Sequence, residues 1–144
     1  MSQLILDEQL NHDRAGKPLL SWITAKRLED LHPGEVIKDA RIPPLLCEPK
    51  QPTFVTIDEG FWNRNLRHPK YCLLYFALRD DQQGQLPNLL RRLFRLKEFK
   101  TKSARMGKVV KVSSTSVEYR RWGDSEKDVL SLPLESRRRQ SSNF

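Results

Sequence analysis

The chain has 144 residues, 38% of them hydrophobic and 31% charged, with a net charge of +8. That is one ordinary domain with enough apolar residues to bury a core, and it lacks the roughly 18-residue apolar run of a membrane-spanning helix. The positive balance points to a polyanionic partner (nucleic acid, an acidic protein or anionic lipid) and carries no information about fold.

Met1-Ser2-Gln3 has no basic flank and runs into Asp7-Glu8, so no signal peptide is expected. Cys47 and Cys72 lie in apolar contexts with no CxxC and no histidine at ligand spacing, which predicts buried thiols in a reducing, cytoplasmic setting.

In chain order, Leu4-Ile5-Leu6 reads as a short strand ending at Asp7-Glu8, and Leu19 to Thr24 as a second strand. Glu35 to Asp39 opens a helical segment after Pro33, which Pro43-Pro44 then kink or restart. Phe54 to Ile57 is a third strand, stopped by Asp58-Glu59-Gly60, and Tyr71 to Leu78 is a continuous apolar run suited to a central strand before Asp80-Asp81. Leu86 to Phe99 carries leucines at three-to-four spacing with Pro87 in the first turn, which predicts an amphipathic helix. Lys108 to Val112 and Val117 to Trp122 alternate across Ser113–Ser116, which predicts a β-hairpin. From Asp124 the chain turns polar and ends in Arg137-Arg138-Arg139 and five more residues. The expected organisation is a domain over residues 1–123 and a disordered tail over 124–144.

Strands separated by helical stretches require crossover connections, hence an α/β fold with a small, mainly parallel sheet flanked by helices and a C-terminal hairpin at one edge. In such a sheet the acids at the ends of the first, third and fourth strands share one rim. Carboxylates gathered there repel one another unless a hard divalent ion lies between them. Taken singly, an Asp after a strand is more often a helix cap or turn former.

Three segments resemble the PIN-like nuclease superfamily, in particular its compact bacterial branch of small stand-alone proteins discussed beside toxin–antitoxin toxins. Leu4-Ile5-Leu6-Asp7-Glu8-Gln9-Leu10 is similar to its first strand, Asp39-Ala40-Arg41-Ile42 to its Asp-x-x-Ile helix start, and Phe54-Val55-Thr56-Ile57-Asp58-Glu59-Gly60-Phe61 to its Thr-x-Asp-x-x-Phe strand end. The resemblance covers roughly residues 3 to 122. It implies an acidic pocket for Mg²⁺ or Mn²⁺ and cleavage of RNA, with Asp7, Asp39 and Asp58 as metal-binding, catalytic acids. Glu8, Asp80 and Asp81 are further candidates for the metal. It also leaves room for an antitoxin protein as partner and for a homodimer. Pro43-Pro44 and the Glu59-Gly60 pair depart from the branch's pattern.

Arg91, Arg92, Arg95, Lys97 and Lys100 belong to the densest basic segment, which reads either as a groove for an RNA backbone or as a solvated helix face. His12 and His68 read as surface histidines, and Trp22, Trp62, Tyr75 and Trp122 as packing rather than base-stacking platforms. Two other functions compete with a ribonuclease. One is a non-catalytic PIN-like module binding RNA or an acidic protein; the other is a groove partner presenting the Leu86–Phe99 helix.

Overall fold

The structure is a computed structural model that describes residues 3–7, 10, 19, 23–31, 34–35, 38–64, 66–124 and 126–132, with Gln3, Glu29 and Asp39 described by their backbone alone. Seven strands form one sheet in the order β2-β1-β3-β4-β5-β6-β7. They are β1 (Gln3–Leu6), β2 (Thr24–Arg27), β3 (Thr53–Thr56), β4 (Cys72–Phe76), β5 (Lys108–Val112), β6 (Ser116–Arg121) and β7 (Lys127–Ser131). The first five are parallel to one another, whereas β6 is antiparallel to both β5 and β7. The fold is α/β with a mostly parallel sheet.

Alternation along the central strands builds two cores, one on each face. Leu4, Leu6, Val55, Leu74, Phe76, Val110 and Val112 face one side. There they meet Leu10 and Leu19 of the β1–β2 connection and helix α3 (Leu86–Leu93). Ile5, Phe54, Leu73, Tyr75 and Val109 face the other. They are covered by helix α1 (Ile42–Leu46) and helix α2 (Glu59–Asn63). Every residue of β3 and β4 is buried, as a central strand covered on both sides requires.

Several elements differ from the sequence reading. The second strand starts at Thr24, where the apolar run ends. Ile23 N–H closes a turn onto the carbonyl of Leu19, and the strand that follows is a largely exposed edge. An edge strand needs no apolar pattern.

Pro43-Pro44 do not break a helix; they occupy the first turn of α1, where the missing N–H costs nothing. The amphipathic helix stops at Leu93 rather than Phe99. Phe99 is drawn out of the helical line into the core, edge-on to Tyr119 with ring centroids 5.1 Å apart.

A short helix α4 (Lys102–Arg105) leads into β5. At the far edge, β5, β6 and β7 form a three-stranded antiparallel unit rather than a terminal hairpin. Lys127–Ser131 lies within the stretch whose polarity predicted a tail. Its strand is polar because it is an edge, held by a Lys127–Glu118 ion pair at 2.8 Å and by Arg121 against Asp124 and Asp128. Trp122, expected to pack, is 58% exposed beside it.

Candidate functional site

The strand order changes direction between β1 and β3. From β1 the chain crosses on one face to reach β2, whereas the connections that follow β2 and β3 pack on the other face. A crevice outside the carboxyl ends of the strands at such a switch point is where open α/β sheets bind ligands. Asp7 ends β1 at this point, and Thr56 and Asp58 end β3 beside it.

The local geometry follows from the pleat. Asp7 and Thr56 have the same facing in paired strands, so their side chains meet: the Thr56 hydroxyl donates to Asp7 Oδ2 at 2.7 Å. The same hydroxyl accepts the Asp58 N–H at 2.9 Å, and the Asp7 N–H donates to the carbonyl of Val55 at 3.0 Å. One buried threonine therefore locks the two strand ends together. Asp7 is 5% exposed and Thr56 fully buried. A carboxylate so enclosed is tolerated only where hydrogen bonds or a cation compensate its lost hydration.

Asp58 caps α2, its Oδ1 accepting the Gly60 N–H at 2.9 Å. Gly60 suits this cap: a Cβ there would stand 3.2 Å from Asp58 Oδ1 and press on the capping carboxylate. Of the two roles the sequence offered for this acid, the structure shows the helix cap, made through Oδ1.

Tyr75 lies opposite Thr56 in the β3–β4 register. Burial raises its phenol above the ordinary 10.0, with the negative charges of Glu59 and Asp58 adding to the effect. It is a neutral hydroxyl within electrostatic range of two carboxylates.

Asp39 opens a 3-10 turn, Asp39–Arg41, that runs directly into α1 on the face shared by Asp7 and Thr56. Its side chain and the whole of Glu8 lie outside the described residues. Asp80 and Asp81 are not at a strand end. β4 finishes at Phe76, and the two acids begin a separate 3-10 turn. Asp80 Oδ1 accepts from Gln83 Nε2 at 2.8 Å, and exposed Asp81 pairs with Arg79 at 3.1 Å. Among the described residues no group of three or more His, Cys, Asp or Glu is arranged to hold a metal ion. The side chains that do meet are the Asp7 carboxylate and the Thr56 hydroxyl, with Asp58 joined to that hydroxyl through its main-chain N–H. Oxygen donors of this kind suit Mg²⁺ or Mn²⁺, and Mg²⁺ needs only one or two carboxylates while keeping its waters.

The basic segment separates by burial. Arg92 is only 7% exposed, and its guanidinium donates to the carbonyl of Ser114 at 2.8 Å. Arg91, Arg95, Lys97 and Lys100 are exposed. They lie on the connection that leaves the carboxyl rim after β4 and must reach the opposite rim to start β5. At its far end Lys108 Nζ donates to the carbonyl of Glu98 at 2.8 Å, so Lys97 and Lys100 sit by the amino-terminal rim, away from Asp7 and Asp58.

The sequence reading gave no role to Thr56 or to the Tyr75 hydroxyl. The available signal was the Thr-x-Asp-x-x-Phe pattern itself, in which Thr56 is the threonine two residues before Asp58. Comparison with family models, curated proteins and solved structures returned no match.

Proposed function

We propose that the chain is a divalent-metal-dependent ribonuclease of the PIN-like kind, hydrolysing RNA phosphodiester bonds at the Asp7–Thr56–Asp58 rim. The observation that carries the reading is Thr56, whose hydroxyl holds the Asp7 carboxylate and the Asp58 main-chain N–H together at the switch point of a mostly parallel sheet. Asp7 and Asp58 would hold Mg²⁺ or Mn²⁺, with Asp39 approaching from the head of α1. Such an ion, when bound, lowers the pKa of a water and offsets charge on a phosphate under attack. Of the chain's own groups, Thr56 fixes Asp7, the Gly60 N–H fixes Asp58, and the neutral Tyr75 hydroxyl offers a donor at the edge of the site. An antitoxin partner would be consistent with the resemblance to toxin–antitoxin toxins.

The test uses paired substitutions at Asp58. Asn caps a helix as well as Asp does, so Asp58→Asn should leave the urea midpoint nearly unchanged while abolishing Mn²⁺-dependent RNA cleavage. Asp58→Ala should lose activity and also about 1 kcal/mol of stability. Asp7→Asn should be inactive as well. Undiminished cleavage by both Asn variants would sink the assignment.

A second reading rests on the separation of the exposed cations from the acids: a non-catalytic module that holds RNA or an acidic protein through Arg91, Arg95, Lys97 and Lys100. It gains if the purified chain cuts no RNA with either metal yet retains RNA on a filter in a salt-dependent manner.

A further inference from the structure

A second group of reactive side chains lies at the opposite, amino-terminal rim of the sheet. Cys47, expected to be buried, follows the end of α1 and is half-exposed, whereas Cys72 is fully buried. The Cys47 sulfur lies 3.7 Å from His68 Nε2 and 3.8 Å from Nδ1. The imidazole is held in place. It stacks on Tyr71 with centroids 5.5 Å apart and planes 11° from parallel, and its Nδ1 accepts the Lys70 N–H at 3.1 Å. That bond makes Nδ1 the acceptor and leaves the ring proton on Nε2, the nitrogen nearer the sulfur. A protonated Nε2 beside the sulfur can donate a hydrogen bond to it, and it does not offer the free lone pair a metal would need there.

Cys47 also lines an open cavity of about 420 Å³, together with Glu48, Lys50, Pro69, Lys70 and Met106. Its size is that of a pocket for a small organic molecule. Of the charged groups at its mouth, Lys50 and Lys70 are positive, and Glu48 has Arg41 3.9 Å away to offset its charge.

We propose that Cys47 is a site of reversible mixed-disulfide formation with a small anionic disulfide of the oxidised-glutathione class, the His68 N–H donating to its sulfur and Lys50 and Lys70 attracting the carboxylates. The Cys47 thiol loses its proton to solvent, and its sulfur attacks one sulfur of the glutathione disulfide. The new S–S bond forms as the old one breaks, so Cys47 is oxidised, one glutathione is reduced, and that glutathione leaves as a thiolate that takes up a proton. The site is independent of the nuclease reading, because it sits on the opposite rim and its readout is a covalent adduct.

The experiment treats the purified chain with oxidised glutathione and, separately, with cystamine, a cationic disulfide, and maps the adduct by peptide mass spectrometry. The adduct is expected on Cys47 and not on Cys72, and it should form faster in the folded chain than in urea. Lys50→Glu with Lys70→Glu, both at exposed positions, should slow glutathione about tenfold relative to cystamine. His68→Phe, which keeps an aromatic ring over Tyr71, should slow both reagents. Reaction no faster folded than unfolded, adduct on Cys72 instead, or a reagent ratio untouched by the charge reversals would each overturn the proposal.

Discussion

Thr56 carries more of the candidate site than its size suggests, because its hydroxyl is used in both directions. Removing it while keeping the shape, as Thr56→Val does, takes one donor from the buried Asp7 carboxylate and the acceptor from the Asp58 N–H. The expected cost is about 1–3 kcal/mol in urea unfolding, with RNA cleavage impaired beyond the loss of folded protein. Thr56→Ser keeps the hydroxyl and should recover most of both. An unchanged Thr56→Val midpoint would show that the link is not needed.

The sequence brought Asp7 and Asp58 into consideration because each follows a short apolar run, a pattern visible without any contact. The hydroxyl between them was not legible, since only pairing in register tells which strand positions meet. Asp80 and Asp81 misled for a related reason. The apolar run of residues 71–78 is longer than the strand, so the end of hydrophobicity was taken for the end of pairing, whereas Ala77 closes the ladder with a single bond to Val112.

At the level of elements, the central strands and the start of α3 were readable because doubly covered strands and amphipathic helices impose their own periods on the sequence. Elements held by tertiary contacts were not. The end of α3 depends on Phe99 meeting Tyr119, and β7 depends on pairing to β6 and on ion pairs with it. A run of arginines is equally opaque. Arg92 bonds the carbonyls of Ser114 and Leu132, and so ties α3 to the β5–β6 turn and to the end of β7. Arg91 and Arg95, its neighbours in sequence, are exposed. Arg92→Ala should therefore lower the urea midpoint by the equivalent of about 2 kcal/mol. Arg91→Ala with Arg95→Ala should leave stability within about 0.5 kcal/mol and weaken only salt-dependent RNA retention. Equal stability loss in the two variants would remove the distinction that burial draws between them.

For the molecule as a whole, two groups with large upward shifts, Tyr71 and Cys72, lie buried at the start of the central strand β4. Burial pushes the Cys72 thiol from its ordinary 9.0 up to about 12, against the pull of Arg105 and Lys108. Burial, with Cys47 nearby, takes the Tyr71 phenol from 10.0 to about 12. In both cases the folded chain holds a proton that the unfolded chain releases sooner. Stability is then intact below the ordinary values and is lost as pH rises through them toward the folded ones. Lys108 acts in the opposite sense. Burial lowers its ammonium's pKa, so its folded form sheds a proton earlier and stability is regained as pH rises. Cys72 is the better-buried of the two, and the fall from the thiol and the phenol should prevail. A displacement from 9.0 to about 12 is worth at most on the order of 4 kcal/mol. Urea midpoints taken from about pH 8 to pH 10.5 should fall steadily, and the fall should be shallower in Cys72→Ala, which has no thiol to ionise. Midpoints that rise over this range, or a Cys72→Ala curve parallel to the parent's, would mean that the buried thiol does not govern alkaline stability.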